Sequence, residues 1–189
     1  MNQKVFKLTA FLLIVCGVSA LLIAYINDIT IDRIAAQNAQ ALQEGYTEVY
    51  PEASEYSETE YTGSDAAITD VVSAKKDGQE VGVIYTVAPG GYGGAVLTLV
   101  GFDIETQKIT GIKVLKQSET PGLGGNCTQP WFAARFAGKS AAQPLKAVKT
   151  ETSSDQEVQA ITAATITSTA VVTGINAAQA DFAANYANR

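Results

Sequence analysis

Histidine is missing from all 189 residues, and cysteine, methionine and tryptophan are scarce, at two, one and one. Without an imidazole the chain cannot build a serine triad on a His base, a His-ligated metal site or an imidazole proton shuttle. Cys16 and Cys127 lie in segments of very different character and lack metal-ligand spacing, so neither a disulfide nor a metal role is expected of them. Whatever chemistry the chain performs must come from hydroxyls, carboxylates, backbone groups or a borrowed cofactor.

Charge is absent from Leu8 to Ile26, LTAFLLIVCGVSALLIAYI, a run of 19 residues. That length crosses a bilayer core of ~30 Å as a helix. Val18-Ser19-Ala20 resembles a signal-peptidase site, but the apolar run continues past it as LLIAYI, which favours an anchor over a cleaved signal. Cys16 follows Leu13-Ile14-Val15 rather than a small residue, so a lipoprotein signal is not expected either. Lys4 and Lys7 precede the span while Asn27, Asp28 and Asp32 follow it, which predicts a cytoplasmic N-terminus and an extracytoplasmic remainder in a cell membrane. Beyond the span, 11 basic against 19 acidic residues leave residues 27–189 with a net charge of −8. Such a surface does not seek nucleic acid or anionic lipid.

Periodicity organises the rest. Ile31, Ile34, Ala35, Ala39 and Leu42 recur at helical spacing, so the membrane helix is expected to continue outward and to pack this stripe on the domain it tethers. Residues 46–64 hold four tyrosines and five glutamates without a sustained period and read as an acidic surface segment with one short strand at most. From Glu80, EVGVIYTVA, AVLTLVGFDI and KITGIKVLKQ predict three strands of an antiparallel meander, with a turn at 103–107 and a bulge near Gly111. Pro130 and WFAARFAG predict a short helix stopped by Gly138, with Trp131, Phe132 and Phe136 on one apolar side. Residues 168–186, rich in alanine, predict a long amphipathic helix that closes the domain. The expected fold class is α+β: one N-terminal transmembrane helix, then an extracytoplasmic domain with an antiparallel sheet and a long C-terminal helix. The expected divisions are 1–26 for the cytoplasmic N-terminus and span, 27–64 for the juxtamembrane helix and acidic connector, and 65–189 for the domain proper.

Three stretches are candidates for chemistry: PGGYGG at 89–94, SETPGLGG at 118–125 and ITAATITS at 161–168. The first two could be plain turns, yet clustered glycines also let backbone approach a flat ligand closely. Glu119 and Thr120 add polar groups to the second, and Leu123 an apolar contact. In the third, Thr162, Thr165, Thr167 and Ser168 surround the start of the last helix. One hydroxyl suffices to cap a helix. Four within seven residues point further, because a helix N-terminus offers unpaired N–H groups and a positive dipole end, which favour a phosphate.

ITAATITS resembles the flavinylation motif of the FMN-binding domain family, a S/T-G-A-T sequence followed by a hydrophobic residue and T or S. GYGG, the strand after it, KITGIKVLKQSETPGLG and the WF helix resemble the same family in the same order, so the likeness covers residues 80–187. The resemblance implies FMN joined through a phosphoester to Thr165, placed there by a dedicated flavin transferase outside the cytoplasm. It implies cofactor contacts from Thr162, Ala163, Ala164, Ile166, Thr167 and Ser168. Glu119, Thr120, Gly122, Leu123 and Gly124, with Gly91, Tyr92 and Gly93, would border the flavin ring. Two positions depart from the family pattern, Ala163 for Gly and Gln159 for Asp.

The short length and single anchor are most similar to the RnfG-type members of Rnf ion-translocating ferredoxin:NAD oxidoreductases, with the NqrC-type members of sodium-pumping NADH:quinone reductases as a close alternative. This implies a redox component, not catalytic alone, whose partners are other membrane and iron-sulfur subunits. A free-standing extracytoplasmic FMN carrier, or a non-redox envelope binding module, are the other readings.

Overall fold

The computed structural model describes residues 3–186. Helix α1 (Gln3–Val49) is one helix long and apolar enough to cross a membrane by length and composition. Inside it, Thr9 and Thr30 donate their hydroxyls to the carbonyls of Val5 (2.9 Å) and Ile26 (2.8 Å), and the first of these spares the apolar stretch an unpaired polar group. Pro51 closes off the helix, since the residue before a proline is driven out of the α region.

Two compact units divide the chain, residues 1–41 and 42–189. In the first, Ile31 and Ile34 are 55% and 53% exposed. Packing begins in the second unit, where Leu42 is half-buried and Tyr46 and Val49 are buried.

The second unit is built on a five-stranded antiparallel meander, β1 (Glu55–Thr59), β2 (Ile68–Lys76), β3 (Gln79–Val87), β4 (Leu97–Asp103) and β5 (Ile109–Lys116). The last three of these strands are the ones expected from the apolar runs. The sequence pattern allowed for β1 and missed β2, whose signal was the Asp77-Gly78 dipeptide: both residues have positive φ (52° and 78°), as a two-residue hairpin demands. At the β4–β5 turn, Asp103 Oδ1 accepts the backbone N–H of Thr106 (2.7 Å) and its hydroxyl (2.6 Å). The pairing slips between Gly101 and Phe102 so that Thr110, next to Gly111, is the extra residue of a bulge. After β5 come a 3-10 turn (Gly124–Thr128), α2 (Pro130–Ala133), a small parallel pair β6 (Lys146–Val148) and β7 (Glu157–Gln159), and α3 (Thr165–Asn185).

Both faces of the meander are covered, which explains why β3 reads as a nearly unbroken apolar run rather than an alternation. Val83, Tyr85 and Val87 point to one face, where α3 lays down Val171, Val172, Ile175 and Phe182. There the ring of Phe102 stacks on Phe182 at 5.0 Å and meets Tyr85 edge-on at 5.7 Å. Ile84 points to the other face and joins Tyr46, Val49 and Tyr50. The Tyr50 hydroxyl donates to Asp103 Oδ2 (2.5 Å) and to the Val81 carbonyl (3.0 Å), pinning the residue that follows α1 to the sheet.

Two local expectations need correcting. The short helix is only four residues long, and Trp131 is 46% exposed beneath the Arg135 guanidinium (4.7 Å) instead of sharing the core with Phe132 and Phe136. The last helix starts three residues earlier than Ser168, at Thr165, which places that threonine in its first turn.

Candidate functional site

Ser168 shapes the turn before α3. Its buried hydroxyl accepts the Ile161 N–H (2.9 Å) and donates to the Ala164 carbonyl (3.0 Å), closing residues 161–164 onto the first turn of the helix. The closure drives Ala163 into the left-handed region at φ +61°, a conformation that costs an alanine about 1–2 kcal/mol. Ala164 is the N-cap residue and no side chain caps the helix. Capping therefore does not account for the four hydroxyls.

Each of them has its own position. Ser168 is spent on the turn, and Thr167, 2% exposed, donates its hydroxyl to Glu119 Oε2 at 2.6 Å. Thr162 is exposed in the turn. Thr165 is exposed at the first helical position, and its hydroxyl is engaged by no protein group among the described residues. An α-helix leaves its first N–H groups without intrahelical partners, so this hydroxyl stands beside ready donors at a positive dipole end.

Glu119 joins the three stretches singled out in the sequence. Its Oε2 accepts from Thr167 on α3, while Oε1 accepts the Gly93 N–H (2.9 Å) from the β3–β4 loop. Only glycine fits at two points around it. A Cβ at Gly91 would collide with Oε1, and one at Gly124 would lie 2.5 Å from both Oε2 and the Thr167 hydroxyl oxygen. Nearby, the Cys127 thiol is pushed up to about 11 by burial and by the Glu119 charge, so it stays protonated and inert.

Beside this knot opens a cleft of about 520 Å³, within the range of small-molecule sites. Residues 163–167 form one wall, and Glu119, Thr120, Leu123 and Gly124 form another, with Tyr92 at the mouth. Gly91, Gly93, Gly122, Thr162 and Ser168 do not line it; Gly91 and Gly93 support Glu119, and Gly122 (φ +77°) turns the loop. A second groove of about 360 Å³, not anticipated from the sequence, shares Thr165 and Ile166 and adds Pro89, Gly90, Thr169 and Thr173. The recurrence of threonine at 165, 169 and 173, one helical face, was its signal. Beyond α1, the exposed large apolar side chains among the described residues are Tyr92, Leu123, Trp131 and Ile166, and three of these four surround the cleft.

Comparison with known proteins identifies the family. Residues 91–180 match the FMN-binding domain family, and residues 1–49 match the RnfG N-terminal region. The chain is 36% identical to the G component of the Na(+)-translocating ferredoxin:NAD(+) oxidoreductase complex of Acetobacterium woodii, over 92% of this chain and 89% of that protein. It is 29% identical to the G component of the proton-translocating ferredoxin:NAD(+) oxidoreductase complex of Clostridium ljungdahlii, over 94% and 91%. A solved structure of the C component of the Na(+)-translocating NADH-quinone reductase from Parabacteroides distasonis superposes with a TM-score of 0.52 at 27% identity, covering 60% of each chain. The sheet and closing helix are thus shared with an NqrC-type protein, whereas the matches that run nearly end to end are to RnfG-type proteins. The chain belongs to the RnfG family, and its FMN-binding domain follows an N-terminal apolar helix.

Proposed function

We propose that this chain is the membrane-anchored, flavin-carrying electron-transfer subunit of an ion-translocating ferredoxin:NAD oxidoreductase complex, with FMN esterified to Thr165. The observation that carries the reading is the exposed Thr165 hydroxyl at the first position of α3, on the wall of the cleft.

The residues present fit such a group. The N–H groups and dipole of α3 suit a phosphodiester, and the cleft volume suits a ring system. Tyr92, Leu123 and Ile166 offer apolar edges to a flat ring, while Glu119 and Thr120 offer polar ones. Bound FMN would supply redox chemistry that no side chain here can perform. The protein's share is to hold the phosphate at the helix end, shield one side of the ring and leave another side accessible to a redox partner.

Attachment balances as a transfer from FAD catalysed by a flavin transferase. The Thr165 oxygen forms a bond to the FMN phosphorus, the FAD pyrophosphate bond breaks, AMP leaves, and the threonine proton is passed to it or to a base of the transferase. Outside the cytoplasm, where a dissociated flavin would be diluted away, such a tether keeps the cofactor at its site. The α1 span, with Lys4 and Lys7 on the cytoplasmic side, holds the domain at the extracytoplasmic face of the membrane beside the other members of the complex. On this reading residues 1–26 are the cytoplasmic N-terminus and span, 27–64 the juxtamembrane connector and 65–189 the FMN-binding domain.

The test is the intact mass of the chain produced with a flavin transferase, alongside Thr165→Ala. A gain equal to FMN minus water, with a fluorescent denatured band, is expected for the wild type and is absent from the variant. A wild-type chain without the gain would remove the covalent reading.

A further inference from the structure

Glu119 is buried to 7% exposure in the wall of the cleft, and the ion pairs found among the described residues, Lys76–Glu52 and Lys113–Glu48, do not include it. A carboxylate at such a depth is costly unless hydrogen-bonded. Here each oxygen has one donor, the Gly93 N–H and the Thr167 hydroxyl, and neither carries a formal charge. The negative charge is therefore held in place, yet not neutralised. A Cβ added at Gly91 would collide with Oε1 and one at Gly124 would lie 2.5 Å from Oε2, so the carboxylate fills space that these two glycines leave open. Its field already reaches the neighbouring Cys127 thiol, which it disfavours as an anion.

We propose that Glu119 is a potential-setting residue: its fixed charge in the cleft wall lowers the reduction potential of the flavin held there. The inference rests on the flavin reading given above. Reduction adds electrons to the ring, and a neighbouring negative charge in a medium of low dielectric opposes this. The Thr167 hydroxyl tempers the effect, because a donated hydrogen bond spreads part of the carboxylate charge. Two substitutions should therefore act in opposite directions. Glu119→Gln removes the charge at nearly constant shape, and Thr167→Val removes the donor while leaving the charge.

The measurement is a spectroelectrochemical titration of the full chain, produced with a flavin transferase and purified in detergent, with covalent flavin confirmed by in-gel fluorescence. Glu119→Gln is expected to favour the reduced flavin by tenfold or more, equivalent to about 59 mV for a one-electron couple. Thr167→Val is expected to shift the potential to a more negative value. A flavin-loaded Glu119→Gln with an unchanged potential overturns the proposal, as does a Thr167→Val shift in the positive direction. If Glu119→Gln alone takes up no flavin, the direction of the Thr167→Val shift decides. If neither variant is loaded while the wild type is, Glu119 is a structural clamp and the proposal falls. A wild type without flavin refutes the flavin reading itself and is distinguished from all of these.

Discussion

The Ser168 hydroxyl accepts the backbone N–H of Ile161 at 2.9 Å, seven positions back along the chain. With the bond it returns to the Ala164 carbonyl (3.0 Å), it holds the loop that delivers Thr165 to the cleft. Ser168→Ala leaves the Ile161 N–H buried without its acceptor, at a cost of about 1–3 kcal/mol. The expected result is a melting temperature lower by several degrees together with a reduced yield of covalent flavin. An unchanged flavin yield would show that the turn does not position Thr165.

Ala163 sits at φ +61°, where a Cβ is strained and glycine is not. Ala163→Gly relieves that strain but loosens the unfolded chain, for a net stabilisation of about 0.5–1 kcal/mol. Thermal unfolding should therefore move up by a few degrees. Loss of stability in this variant would mean that the Ala163 methyl, which lines the cleft, makes packing contacts that outweigh its backbone strain.

Tyr50 and Asp103 predict an acid limb. Burial works against the Asp103 carboxylate, but hydrogen bonds from Thr106 and Tyr50 outweigh it and hold its pKa below the ordinary 3.8. A carboxyl lowered on folding contributes stability that is present above 3.8 and is lost as the pH falls through the folded value. Burial and the Asp103 carboxylate also raise the Tyr50 phenol, so it remains a donor at neutral pH. Tyr50→Phe should cost about 1–2 kcal/mol at pH 7 by denaturant titration. The gap between wild type and variant should narrow as the pH falls below 3.8, and a constant gap would contradict the role assigned to the carboxylate.

The span is legible in the sequence because 19 uncharged residues admit few other uses. The last three strands are equally readable from their apolar runs and the polar and glycine breaks between them. β2 is not, because ITDVVSAKK mixes polar and apolar positions without a clean period, and its pairing with β1 and β3 supplies what its pattern lacks. Trp131 was misplaced for a related reason: a helical wheel assumes several turns, and α2 has barely one. In the candidate site, the residue types and the three loops are visible in the chain. Their division of labour is not, since Thr162, Thr165, Thr167 and Ser168 are chemically alike.

Composition and local pattern determined by themselves that this chain has no imidazole chemistry, one apolar anchor and a β-rich domain closed by a helix, because these depend on residue type and short-range period. Tertiary structure alone decided which hydroxyl faces the cleft and which are consumed by the fold. The meander and α3 bring residues 93, 119 and 167 within hydrogen-bonding distance across gaps of 26 and 48 positions, and no local signal encodes a contact at that separation.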